Sequence, residues 1–380
     1  MTGRYDVAII GGGLIGASAA YHLSSHCEVV LMEQEPQPGY HSSGRSAAVL
    51  LPPYGGPLAR ALTQASMGFL SSPPSGFTEF PLLTPRGALF LANHDQLDLL
   101  DHWRPTEGAS ASGTRILSAK EAVERVPILV TERIGAALWL PIVCDIDAAA
   151  LLQGFLRGFK GRGGSVLLST KVDAIRREQG EWCLVSGSST LIRAKTIVNA
   201  AGAWADRVAE LAGARPQALV PTRRTMIVVD TSARDVQAWP LVSDVAETFY
   251  FKPDAGRVMV SPADHTPVSA QDVQAEDWDV AMAVERLEAA TSLSVRRVTH
   301  RWAGLRTFSP SEEPLVGFDP EVPEFLWAAA FGGFGVQAAF AAGQCCEALI
   351  CRNALEAELE RSGVDLQRLA PKRSSGPCTD

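Results

Sequence analysis

The stretch DVAIIGGGLIGASAAYHL, residues 6–23, constrains this chain more than any other. Apolar residues Val7 to Ile10 run straight into glycine, and the apolar spacing then changes from that of a buried strand to that of a helix over about 14–24. Gly11, Gly13 and Gly16 fit G-x-G-x-x-G. The first glycine makes the tight strand-to-helix turn, the second lets a pyrophosphate approach the backbone, and the third lets helix and strand pack closely. The helix behind them aims its free N–H groups and the positive end of its dipole at the phosphates. A second strand, CEVVLMEQ, ends at Glu33, roughly 20 residues after the glycines begin, where an acid takes a pair of ribose hydroxyls. An acid there argues against a 2′-phosphate, which leaves FAD or NAD.

The next segment separates the two. NAD binding calls for several more alternating strands and helices, but EPQPGYHSSGRSAAVLLPPYGGP follows, rich in glycine, serine and proline. A long loop of this kind inside a compact domain is usually functional. It carries Arg45 and Ser46 among small residues, which suits close approach by a flat ring, so the segment predicts a flavoprotein. Beyond it the periodicity predicts helices over 58–72, 118–126 and 277–291 and a helix capped by Asp145 or Asp147, with short strands between. Strand, small residues and helix recur at KTIVNAAGAWADRVAELAG and at FLWAAAFGGFGVQAAFAAGQCCEALI, each reading as a return to the nucleotide-binding unit.

A chain of 380 residues exceeds what one core usually organises, so two domains are expected. The fold class read from this order is α/β: a Rossmann-like FAD-binding domain (residues 1–50, 145–220 and 301–370) interleaved with a mixed-sheet substrate-binding domain (51–144 and 221–300). A flexible tail is expected over 371–380. Net charge is −8 with no block of Lys or Arg, so nucleic acid and anionic membrane are poor partners. Seven scattered cysteines without a C-x-x-C pair fit a reducing compartment, and neither His nor Cys shows metal-ligand spacing. No signal peptide or spanning segment is read, so a cytoplasmic location is expected, with contact at the periphery of the inner membrane left open.

The strings GGGLIG, PGYHSSGRSA, VNAAGAW, WAGLRTF and FGGFGVQ stand in an order that resembles the D-amino-acid oxidase and glycine/sarcosine oxidase superfamily. Within it, QPGYHSSGRSAA, RALTQAS, GFTEFPLLTPR and FYFKPDAG resemble the bacterial FAD-dependent D-arginine dehydrogenases over nearly the whole chain. The resemblance implies a non-covalent FAD. It implies that Gly11, Gly13, Gly16 and Glu33 hold the ADP part, that Arg45, Ser46 and Ala47 line the flavin with Gly304, that Val172 offers backbone on the adenine side, and that Ala201 and Gly202 border the pyrophosphate. It also implies that Gly332, Gly333, Phe334, Gly335 and Gln337 open a helix toward the flavin C2 carbonyl. A helix N-terminus independently suits the negative charge that gathers there on reduction.

For the substrate the resemblance points to Arg223, Tyr250 and Arg306, with Tyr54 closing from the LLPPYGGP loop. Guanidinium and phenol groups suit a carboxylate. The local sequence does not choose between Arg223 and Arg224; the match alone selects Arg223. Two pocket positions depart from the D-arginine pattern: Ala88 replaces a glutamate and Val49 a histidine. Without that glutamate a cationic side chain would be buried unpaired, at a cost of several kcal/mol. The expected reaction is therefore oxidative deamination of a D-amino acid with a neutral or apolar side chain. Hydride passes from Cα to flavin N5, and the imine is hydrolysed by water to a 2-oxo acid and ammonia. His300 lies near the right segment but reads equally as structural. Met259 occupies the place where sarcosine-type oxidases carry a lysine, which favours a dehydrogenase with a quinone-like acceptor. The alternatives are an oxygen-using oxidase that releases peroxide, a biosynthetic amine oxidoreductase with a larger substrate, and a non-catalytic FAD-binding protein.

Overall fold

The computed structural model describes residues 2–104, 112–188, 190–230 and 235–372. Most of the expected tail and Cys378 lie outside them. The opening strand Thr2–Ile10 is central to an eight-stranded sheet, parallel to Val29–Met32 on one side and to Thr190–Asn199 on the other. Ser165–Leu167 and Phe325–Ala329 continue the parallel pairing, while Ala174–Glu178, Glu181–Ser186 and Leu315–Phe318 join antiparallel. Alternation along the opening strand divides its side chains cleanly: Val7 and Ile9 enter one core, Ala8 and Ile10 the other. A strand buried on both faces reads as a continuous apolar run, which is why VAII precedes the glycines.

Helices cover the first of those faces. Leu14–Leu23 packs against Gly335–Cys351 and Ala148–Gly161, and Asp147 caps the last of these by accepting from the Ala150 N–H at 2.8 Å. The expected helices over 58–72, 118–126 and 277–291 appear as Pro57–Ser71, Ala119–Arg125 and Asp277–Ala290. Ser118 and Glu121 form a reciprocal capping box at the start of the second.

The second sheet has nine strands and is mixed. Its long strand Val220–Val229 pairs antiparallel with Arg257–Ser261 and with Val298–Phe308. Grouping residues 301–308 with the nucleotide-binding segments therefore needs correction: they run in this sheet, as the partner of the Arg223–Arg224 strand. One face of the sheet packs on Asp277–Ala290 through Ile227, Val229, Phe251 and Leu287. The other, with Met226, Val228 and Met259, turns toward Ala47 and Tyr250. A small three-stranded sheet joins Val49–Leu50 and Leu83–Pro85 to Cys144–Ile146. Among the described residues no helix is long and apolar enough to cross a membrane.

Candidate active site

The main cavity begins at the glycine turn. Gly11, at φ +110°, adopts a conformation that L side chains avoid, and a Cβ there would lie 2.3 Å from the Ala200 carbonyl oxygen. A Cβ on Gly16 would lie 2.0 Å from the Gly11 carbonyl oxygen. Glu33 is buried beside them: its carboxylate accepts from the Gly12 N–H at 2.7 Å and the Glu35 N–H at 2.9 Å. Gly12 was not singled out from sequence, yet its Cβ would sit 2.9 Å from the Glu33 carboxylate, so the middle glycine of the run is needed too. The Ser43 hydroxyl, from the PGYHSSGRSA segment, accepts from the Leu14 N–H at 3.0 Å and fastens the loop to the first helix.

Val172, Ala201 and Gly202 line the same cavity, whose far end reaches Ser46, Ala47 and Gly304. A Cβ on Gly202 would meet nothing within 4 Å, so the wall is open there. Arg45 lines the cavity but its guanidinium is engaged by the protein: it meets Asp272 at 2.5 Å and donates to the carbonyls of Tyr40, Val273 and Ala303. Gly332, Gly333 and Gly335 border the end of the cavity, where the helix Gly335–Cys351 begins. Phe334 and Gln337 depart from the expected placement at this cavity. Phe334 enters the helix-side core, and Gln337 reaches past the cavity to accept from the Leu51 N–H at 2.7 Å. This groove of close backbone, with a buried acid beside the glycine turn and the N-terminus of Gly335–Cys351 at its border, fits an FAD dinucleotide.

A second cavity continues beyond Ser46 and Gly333 and is lined by Val49, Tyr54, Phe90, Trp103 and Leu241. Arg224, Tyr250 and Arg306 border both cavities, so they stand at the junction. Arg223 is not there, and the register explains why. Thr222 lies opposite Arg306, and directly paired residues share a face; alternation then places Arg224 beside Arg306 and turns Arg223 to the back of the sheet. Behind the sheet Arg223 is buried among acids, with Nε 2.9 Å from Asp279 and a further ion pair to Glu276. Arg224, not the expected Arg223, therefore lines the cavities beside Arg306.

At the junction Arg306 donates to the Tyr54 hydroxyl at 3.1 Å, and the Tyr54 ring stacks on Trp103. Arg224 donates through Nε to the Asp264 carbonyl at 2.8 Å. No carboxylate among the described residues lies within 4.0 Å of either guanidinium. Burial and the neighbouring Arg306 charge press the Arg224 pKa below its ordinary value. Burial opposes the Arg306 charge too, but Tyr54, Tyr250 and the Glu247 and Asp264 carboxyls more than offset it and raise that pKa. The junction is thus a concentration of positive charge with room for an anion.

Ala88 sits fully buried behind the second cavity, on the same strand face as Phe90, and does not reach the wall. Glu247, from the turn before Tyr250, does reach it; nothing in the local sequence marks that residue. Desolvation raises the Glu247 pKa against the pull of Arg224 and Arg306. His300 is exposed at the surface. Met259 packs with Met226 under Ala47 and Tyr250, and its register partner is a buried lysine, Lys252, held by Asp145 at 2.7 Å.

The chain is 26% identical over 336 residues to the glycine oxidase of Geobacillus kaustophilus, covering 84% of this chain and 86% of that protein. It is 23% identical over 364 residues to the mitochondrial sarcosine dehydrogenase of Mus musculus, covering 89% of this chain but 39% of that protein; it thus spans about two fifths of that relative's length. The crystal structure of glycine oxidase from Geobacillus kaustophilus shares the fold, with a TM-score of 0.83 at 23% identity over 98% of this chain and 100% of that one. The model of the FAD dependent oxidoreductase family, DAO, matches residues 6–349, and the chain belongs to that family of flavoenzymes.

Proposed function

We propose that this protein is an FAD-dependent amino-acid dehydrogenase that deaminates a D-amino acid with a neutral or apolar side chain. The observation that carries the reading is the pair Arg224 and Arg306, two partly buried cations with no carboxylate among the described residues within 4.0 Å, both bordering the two cavities where they meet. Buried charges are stable when paired, and an incoming carboxylate pairs both through charge-assisted hydrogen bonds. Held that way, the substrate turns its Cα toward Ala47 and Gly304 and its side chain toward Phe90, Trp103 and Leu241. FAD, which the cradle at Gly11, Gly16 and Glu33 would hold non-covalently, would supply the acceptor for the hydride that leaves Cα. The protein's share is orientation: clamping the carboxylate turns a chance encounter into a fixed approach. Tyr54, on its loop beside Trp103, closes the space and excludes water, and Tyr250 offers a second hydroxyl. The amine gives its proton to solvent, and water hydrolyses the imine to a 2-oxo acid and ammonia.

The apolar wall favours aromatic and branched aliphatic side chains. Glu247, the one carboxylate among the described residues that lines this cavity, is exposed at its rim, so a cationic side chain packed against Phe90 and Leu241 has no buried partner among them. Lys171, the lysine that lines the main cavity among the described residues, stands beside Val172, while Met259 holds the place near Ala47 and the buried Lys252 is committed to Asp145; this favours a quinone-like electron acceptor over oxygen. Glycine oxidase and sarcosine dehydrogenase, the similar proteins, are named for amino-acid oxidation, which supports the reaction class. An anaerobic panel of D- and L-amino acids, scored by bleaching of the bound flavin, tests this reading. Bleaching is expected with D-phenylalanine or D-leucine and about 100-fold more slowly with D-arginine, in line with several kcal/mol for an unpaired cation. If no amino acid bleaches the flavin, the reading fails. Stoichiometric peroxide from the same panel in air replaces dehydrogenase by oxidase.

A further inference from the structure

Arg223, Arg224 and Thr225 stand in succession on the strand Val220–Val229, and alternation sends only the middle one to the cavity. The other two meet acids behind the sheet. Thr225 donates its N–H to Asp264 at 2.6 Å and its hydroxyl at 3.0 Å, and the hydroxyl also lies 3.4 Å from Asp279. Arg223 lies 3.7 Å from Asp264 and 2.9 Å from Asp279. Asp264 bonds to residues on both faces of the strand: its carboxylate takes Thr225, and its carbonyl takes Arg224 Nε at 2.8 Å.

We propose that Asp264 is a positioning residue that aims the Arg224 guanidinium at the substrate carboxylate, with Arg223 as the charge that holds Asp264 in place. The inference rests on the carboxylate grip proposed above and adds a group that touches no substrate. A guanidinium is planar, so fixing Nε fixes the direction of the two terminal nitrogens. Those nitrogens then face the cavity as a fork matched to two carboxylate oxygens. The carbonyl that fixes Nε is itself fixed. The bonds that Arg224 and Thr225 both donate to Asp264 close a ring beside the strand. The turn leading to Asp264 is braced too: the Ala263 N–H donates to Ser261 Oγ at 3.1 Å, and that hydroxyl donates to the Thr225 carbonyl at 2.8 Å. Ala263 sits at φ +53°, a conformation that persists only where surrounding bonds impose it. Asp264 and Arg223 are both almost fully buried, so neither charge is there for solubility.

The test uses FAD-loaded protein and benzoate as an aromatic carboxylate probe, followed by the perturbation of flavin absorbance. Arg224→Ala is expected to weaken benzoate about 100-fold, by loss of charge-assisted bonds. Asp264→Ala is expected to weaken it about tenfold while Asp264→Asn, which keeps one acceptor for the Thr225 N–H, stays within about threefold of the unmodified protein. With the amino acid identified by the panel, Asp264→Ala should raise KM and leave kcat within about twofold, a split that general damage to the fold does not produce. Benzoate affinity within twofold of the unmodified protein in Asp264→Ala, alongside weakened Arg224→Ala, overturns the role of Asp264. Should Asp264→Ala fail to retain FAD, Thr225→Val decides in its place: a loss of about threefold is expected, and unchanged affinity overturns the inference. Unchanged affinity in Arg224→Ala overturns the carboxylate grip itself, a distinct result.

Discussion

Adding one methyl group at Gly333 tests the junction of the two cavities without removing any charge. A Cβ there would lie 2.8 Å from Arg306 Cζ and Nη1 and 2.8 Å from the Tyr54 hydroxyl oxygen. Ordinary contacts begin near 3.4 Å, so about 0.6 Å must be found on two sides at once. The backbone of Gly333 has no positive φ, so alanine meets no backbone strain and the whole effect falls on its neighbours. Arg306 and Tyr54 are bonded to each other at 3.1 Å, and they yield only by separating or by moving together away from the site. Overpacking of this kind costs typically about 1–3 kcal/mol, or about 5- to 150-fold in kcat/KM when the displaced groups grip the substrate. Gly333→Ala should therefore bind FAD normally and lose that much kcat/KM with its amino acid, mainly through KM. Gly68→Ala, where a Cβ meets nothing within 4 Å, is the control and should be silent. Unchanged kcat/KM in Gly333→Ala, with full flavin content, would refute the placement of Arg306 and Tyr54 at the substrate.

Gly16→Ala drives a methyl group against the Gly11 carbonyl 2.0 Å away, and the absorbance ratio at flavin and protein wavelengths should show protein purified largely without FAD; normal flavin content would count against the dinucleotide cradle. Arg223→Ala leaves Asp264 and Asp279 buried without their cation and should cost about 3–5 kcal/mol of stability, read as a fall in Tm, with a Tm within a degree of the unmodified protein as the contrary result. Hydrogen bonds from His22 and then from His26 hold the Glu347 carboxyl below the usual carboxylate range. A depressed folded pKa contributes stability above the unfolded value that is lost as pH falls through the folded one. Glu347→Gln should therefore melt lower than the unmodified protein at pH 7, and the gap should close below about pH 4; a gap of equal size in acid speaks against the pair.

Local chain chemistry made the cofactor cradle legible. VAII, the glycines, the small-residue helix and Glu33 lie within 27 residues, and each requirement is met by its own neighbours in sequence. A cap at Asp145 or Asp147 was readable for the same reason, since a cap bonds within its own first turn; the structure selects Asp147. The substrate side was not legible in this way. Along TRRTMIVV, Met226 and Val228 are buried on one face and Ile227 and Val229 on the other, so apolar alternation carries no parity and leaves Arg223 and Arg224 equivalent. Only the pairing of Thr222 with Arg306, 84 residues away, breaks the tie. Trp103 and Glu247 escaped notice because they reach the cavity from a short helical turn and a hairpin far from any motif.

What the sequence determined by itself is the kind of cofactor and the place where the chain receives its phosphates, because a glycine turn is a property of consecutive residues. Which arginine lines the cavities and what sits behind it were decided by strand register in the second sheet. Register is a relation between distant segments: a shift of one residue exchanges the two faces of a strand, and no local pattern on a sheet buried on both sides records which face was chosen.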